Sequence, residues 1–252
     1  IRLEKWKNNY GAYVGQWIES LGMIDALSSL GNLSFNHESF CFPEVHHAYP
    51  VLNAKQMGHP LIFSSKRINN DIVIAGNKQF MVITGPNMAG KSTFLRSVGV
   101  NLILAMTGAP VCAEEFSFRI MTVQTSMRTS DSLSKNESYF LAELRRLKSI
   151  TDKLEEQKEG FVLLDEILKG TNIKDKQEGS KRIIRHMIEL NAAGIVATHD
   201  LSLSELKEQY PDNLFDKSFE MEFNEHGYYF PYKLKDGKTM KCNICQSEEH
   251  LW

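Results

Sequence analysis

The 252-residue chain sets 29 Lys and Arg against 31 Asp and Glu, a formal charge of −2 with histidines neutral, which argues against a surface given over wholly to nucleic-acid contact. No apolar run approaches the length of a membrane span, no signal peptide opens the chain, and four cysteines do not make up a disulfide framework. The expectation is an intracellular, cytoplasmic enzyme: one large α/β domain with a smaller appendage and ample core.

Residues 1–40 read as a helical lead-in. Trp6, Tyr10, Trp17, Leu21, Ile24 and Leu27 recur at spacings of three and four, an apolar stripe expected to pack on the core or on a helix elsewhere in a longer protein. A broken stretch with Pro43, Pro50, Pro60 and the cluster Asn69-Asn70-Asp71 follows, and its turn formers predict short strands. Residues 41–240 form the predicted main domain and 241–252 a tail.

The run Gly85-Pro86-Asn87-Met88-Ala89-Gly90-Lys91-Ser92-Thr93 fits G-x-x-x-x-G-K-[ST]. Phe80 to Thr84 before it reads as a buried strand, and Phe94, Leu95, Val98 and Leu102 after it recur at helical spacing. Strand, glycine loop and helix make the context in which such a loop cradles phosphates. The glycines permit a tight bend whose N–H groups and helix N-terminus converge on phosphate oxygens. Lys91 is placed to neutralise the β and γ phosphates of ATP, and the Ser92 hydroxyl to take one position on Mg²⁺.

Ser130 to Phe140 leads into a predicted amphipathic helix whose stripe is Phe140, Leu144, Leu147, Ile150 or Thr151, and Leu154. Ser138 falls at its start, as a cap or an anion grip. Phe161 to Leu164 is a predicted strand ending in Asp165 and Glu166. Asp165 is placed to hold Mg²⁺, and Glu166 to orient and deprotonate the attacking water. Gly194 to Thr198 predicts a further strand, and His199 after it is placed to sense the γ phosphate or the lytic water. A strand over 218–223 and a turn over 224–227 predict a closing hairpin. Cys242 and Cys245, with only His250 nearby, lack ligands for a zinc site. Arg145, Arg146 and Lys148, flanked by Glu143, Glu155 and Glu156, read as a salt-bridged solvated face, and Lys181, Arg182 and Arg185 as a second.

These ordered motifs resemble the ATPase domain of the MutS family of DNA mismatch repair proteins, within the ABC-type ATPases. The glycine loop is similar to the family's T-G-P-N-M-x-G-K-S-T. Asp165-Glu166-Ile167 with Gly170-Thr171 matches D-E-I-x-x-G-T, Asp131 to Phe140 the signature D-x-L-x-x-G-x-S-x-F, and Ala197-Thr198-His199 the A-T-H. The resemblance implies an α/β P-loop fold of ABC type, with a mostly parallel central sheet and an antiparallel portion. It also implies a composite site in which Ser138 acts on a partner's γ phosphate while Lys91, Ser92, Asp165, Glu166 and His199 act in cis. A homodimer through the ATPase face follows, with mismatched or branched DNA held by other regions of the parent protein. Two alternatives stay open: a MutS paralogue acting on recombination or other DNA structures, and an ATP-dependent assembly switch that does not hydrolyse.

Three positions depart from the family wording. Asn136 stands for the signature glycine, Asn172-Ile173-Lys174-Asp175-Lys176 replaces S/T-T-x-D-G, and Arg67-Ile68-Asn69-Asn70-Asp71 replaces F-V-P-N-D. An arginine plane also stacks on a purine, so Arg67 is the expected cover of the adenine.

Overall fold

The computed structural model describes residues 1–127, 139–157, 160–169, 171–224 and 227–239. Its centre is a six-stranded sheet in the order β12-β9-β4-β8-β7-β6. These are β6 (Val123–Ser126), β7 (Phe161–Asp165), β8 (Ala193–Ala197), β4 (Phe80–Thr84), β9 (Leu214–Phe219) and β12 (Leu234–Asp236). Neighbours run parallel except β12, which pairs antiparallel with β9.

The continuous apolar runs of the inner strands follow from burial on both faces. Met81, Ile83, Leu163 and Ile195 point to one core, and Phe80, Val82, Val162, Leu164 and Val196 to the other. The first core is closed by helix α3 (Lys91–Met106) and a four-stranded sheet of order β1-β5-β2-β3. Those strands are β1 (Glu44–His46), β2 (Leu52–Met57), β3 (Asn70–Ile74) and β5 (Glu115–Arg119). Helices α4 (Tyr139–Gln157) and α5 (Ile173–Glu189) close the second core through Leu147, Ile150, Leu154, Ile184 and Met187.

Helices α1 (Arg2–Tyr10) and α2 (Val14–Asn36), joined by a 3-10 turn, bury none of their residues. The apolar stripe therefore does not pack on the core. Trp6, Tyr10 and Trp17 instead meet one another, ring centroids 6.2–6.4 Å apart.

Three expectations are corrected. The strand over 218–223 is divided: β9 ends at Phe219 inside the central sheet, and β10 (Glu222–Asn224) starts a separate hairpin with β11 (Gly227–Tyr229). Lys235 of β12 holds the chain there, donating to Glu220 at 2.9 Å and Glu222 at 2.8 Å. On α4 the buried stripe takes in Glu143 rather than Leu144, which is exposed. Glu143 is thereby removed from the basic face, where Arg146 donates to the Thr125 carbonyl at 3.0 Å. The second face is paired at two of its three positions, Lys181 with Glu205 at 2.6 Å and Arg182 with Glu178 at 2.9 Å, whereas Arg185 is half-buried, donates to the Gln209 amide oxygen at 3.4 Å and has its Nε buried without a partner among the described residues.

Candidate functional site

The C-terminal ends of β4, β8 and β7 lie side by side in the sheet; the segments after β4 and β7 line one cavity, and His199 after β8 stands behind it against Glu166. From β4 the chain enters the loop 85–90. Gly85 has φ 149°, and a Cβ there would collide with the Phe219 carbonyl of the neighbouring β9. Gly90 has φ 106° and precedes α3 without a side-chain cap, so the helix N-terminus stays open to an anion.

Lys91 folds back under this loop. Its Nζ donates to the Gly85 carbonyl at 2.7 Å and the Pro86 carbonyl at 2.8 Å, with the side chain 5% exposed. Burial pushes the ammonium below its ordinary pKa, while the carboxylates of Glu166 and Asp165 pull it back up. A phosphate chain is the kind of ligand that would replace the carbonyls as its partner.

Asp165 ends β7, and its Oδ1 is buried without a hydrogen-bond partner among the described residues. An orphaned carboxylate oxygen beside a buried ammonium fits a divalent cation or one of its waters. Ser92, in the first turn of α3, lines the cavity, which Asp165 does not, and suits a second oxygen ligand.

Glu166 follows with φ 51°, its N–H donating to the Ala197 carbonyl at the end of β8 at 2.8 Å. Its carboxylate meets Lys169 Nζ at 2.8 Å and His199 Nδ1 at 3.6 Å. Burial alone would raise its pKa; Lys169, His199 and Lys91 outweigh that and hold it below the ordinary carboxylate value. On its other side His199 Nε2 lies 3.3 Å from Lys176 Nζ. An ammonium is donor only, so this contact makes Nε2 the acceptor and turns Nδ1–H toward Glu166.

The cavity in front of these groups holds about 360 Å³ and is walled by Lys91, Ser92, Glu166, Arg67, Met88 and Tyr232, among others. Of the expected site, Asn87, Gly90 and Thr93 also line it; Gly85, Pro86 and Ala89 belong to the loop's backbone behind.

A family model described as MutS domain V matches residues 81–246. The chain belongs to the MutS family. It is 30% identical over 234 residues to the DNA mismatch repair protein MutS of Persephonella marina, covering 90% of this chain and 26% of that protein. Similarity is of the same order to the DNA mismatch repair protein MutS of Thermotoga maritima, 32% over 87% of this chain and 27% of the relative. MutS protein homolog 4 of Homo sapiens matches at 30%, over 89% of this chain and 24% of the relative. The chain thus spans about a quarter of the length of these relatives.

In this MutS domain the positions that depart from family wording have local roles. Asn172 caps α5, accepting from the Asp175 N–H at 2.9 Å and donating to its carboxylate at 2.6 Å, while Lys176 reaches His199. Arg67 stands in the cavity wall with its guanidinium 5.7 Å over the Phe40 ring, and donates to Asn69 Oδ1 at 3.2 Å. Ser138, Asn136, Gly170 and the Cys242, Cys245 and His250 group lie outside the described residues.

Tyr232 is a wall residue that sequence reasoning missed. Asn70 holds its segment over the loop, donating to the Tyr232 carbonyl at 3.0 Å and accepting from the Leu234 N–H at 2.7 Å. Tyr232 carries no motif, and although Asn70 matches the asparagine of F-V-P-N-D, nothing in that match marks its hold on this segment. Among the described residues no helix is long and apolar enough to cross a membrane.

Proposed function

We propose that this MutS domain V is an ABC-type P-loop ATPase that binds Mg²⁺·ATP, hydrolyses it, and couples ATP-driven dimer closure to DNA binding in a mismatch repair protein. The observation that carries this reading is the buried Lys91 ammonium, held by loop carbonyls at the mouth of a cavity that also takes the Glu166 carboxylate.

In this reading the backbone of Gly85 to Gly90 and the α3 N-terminus grip the phosphates, and Lys91 leaves its carbonyls to neutralise them. Arg67 covers one face of the adenine and Tyr232 closes the cavity from the other segment. Ser92 and Asp165 would hold Mg²⁺, which would supply positive charge against that building on the phosphates. Glu166, ionised at neutral pH, accepts a hydrogen bond from the attacking water and orients it on the γ phosphorus; the water's oxygen forms the new bond as the bond to the β-phosphate oxygen breaks, leaving ADP and phosphate. His199 lies with Nδ1 3.6 Å from the Glu166 carboxylate and acts on it through charge and packing rather than a hydrogen bond. Ser138 completes a partner's site, so a homodimer through this face is the active form, and other regions of the parent protein hold DNA.

Phosphate release measured for wild type and Glu166→Ala at two protein concentrations tests this. The expected result is turnover per chain that rises with concentration and falls at least about hundredfold in the variant. Undiminished hydrolysis by Glu166→Ala removes that residue from its role, and ATP uptake without turnover at either concentration favours the assembly switch. The equal 30% identity to a mismatch repair MutS and to MutS protein homolog 4 supports a paralogue reading as well. Comparing the intact protein's affinity for mismatched and branched duplexes separates the two.

A further inference from the structure

Among the described residues two charged side chains are fully buried, Lys91 at 5% exposed and Glu143 at 4%. Lys91 belongs to the nucleotide loop. Glu143 has no assigned role, and packing alone gives no reason for it: it shares its stretch of core with Leu147, Ile150, Ile167 and Leu168, where an apolar side chain serves as well or better. Its carboxylate accepts two backbone N–H groups, from Leu168 at 2.6 Å and Lys169 at 3.2 Å.

We infer that Glu143 is a positioning residue for Glu166, holding from α4 the turn on which the water-orienting carboxylate is carried. That turn is one a chain does not keep by itself. Glu166 and Leu168 both have positive φ, 51° and 59°, and left-handed backbone at residues other than glycine persists where its surroundings over-determine it. One end is fixed by the Glu166 N–H on the Ala197 carbonyl of β8. The other is fixed by Glu143. The same hydrogen bonds set the backbone of Lys169, whose ammonium returns to Glu166 at 2.8 Å. Helix α4 begins one residue after Ser138, so the helix leading from the proposed trans-acting serine also holds the cis-acting carboxylate.

This inference rests on the ATPase reading above, and its test separates the two. ATP hydrolysis and ATP affinity are measured on the intact protein for wild type, Glu143→Ala and Glu143→Gln. In Glu143→Ala kcat falls at least about tenfold, as expected for a misplaced catalytic group, while KM and nucleotide affinity stay within about twofold. Glu143→Gln lies between, since its amide oxygen keeps one N–H and loses the other. Amide exchange at Leu168 and Lys169 speeds up in the alanine variant.

A folded Glu143→Ala with kcat within twofold of wild type overturns the inference, as does a parallel fall of kcat and ATP affinity. Should the alanine variant not fold, an unchanged kcat in Glu143→Gln overturns it equally. Wild type that takes up no ATP sinks the nucleotide reading instead, and exchange at the two amides then decides whether Glu143 holds the turn: protection kept in the folded alanine variant overturns the inference, protection lost upholds it.

Discussion

Glu166 is the residue on which chemistry and stability meet. Its side chain is 16% exposed, and its pKa is held below the ordinary 4.5 because Lys169, His199 and Lys91 together outweigh burial. A carboxylate whose folded value is depressed contributes stability that is present above its unfolded value and is lost as pH falls through the folded one. The urea midpoint of wild type should therefore exceed that of Glu166→Gln at pH 6, with the difference shrinking as pH drops below about 4.5. A difference that stays constant or widens on acidification contradicts the assigned ionisation. On the proposed reading, the depressed value means that activity near neutrality is not limited by protonation of this group, and that Glu166 orients the water as a hydrogen-bond acceptor and is a weak general base.

At the scale of elements, the most sequence-distant contact of the site is the strap that carries Tyr232. Asn70 on β3 and Tyr232 are 162 positions apart, and the 7% exposed Asn70 donates to the Tyr232 carbonyl and accepts from the Leu234 N–H. Each such bond contributes about 1 kcal/mol net. If Tyr232 closes the base end of the cavity, Asn70→Ala weakens ATP binding by about tenfold and leaves tripolyphosphate binding unchanged. Equal losses for both ligands would place the strap's effect on the phosphate end instead.

The elements differed in how far the sequence disclosed them. Strands β4, β7 and β8 were legible because burial on both faces makes their apolar runs unbroken, and the glycine loop because its residue types have few other uses. Spacings of three and four from Phe140 to Leu147 admit either position 143 or 144 on the buried stripe. Polarity chose Leu144; the structure chose Glu143, since two backbone amides from a turn 25 and 26 residues away supply its partners. The break between β9 and β10 hid for a similar reason, the ion pairs to Lys235 being made from outside the segment. Tyr232 had no periodicity or motif to mark it. Pairing across the whole chain is what brings it to the loop.

For the whole molecule, the layered arrangement gathers three parallel strand ends into one edge, and the open cavity lies at the segments that follow β4 and β7. On the proposed reading a second copy finishes this site and contributes Ser138; the relatives the chain matches are about four times its length. Helices α1 and α2, which bury nothing here, stand outside the two cores. The proposed function depends on the Lys91 loop receiving a polyphosphate. Calorimetric titration of the folded chain with Mg²⁺·ATP tests that most directly. The account predicts one nucleotide bound per chain, with affinity reduced roughly hundredfold in Lys91→Ala, the cost of removing a buried cation from its anion. No uptake by the folded wild-type chain, or equal affinity in the variant, contradicts it.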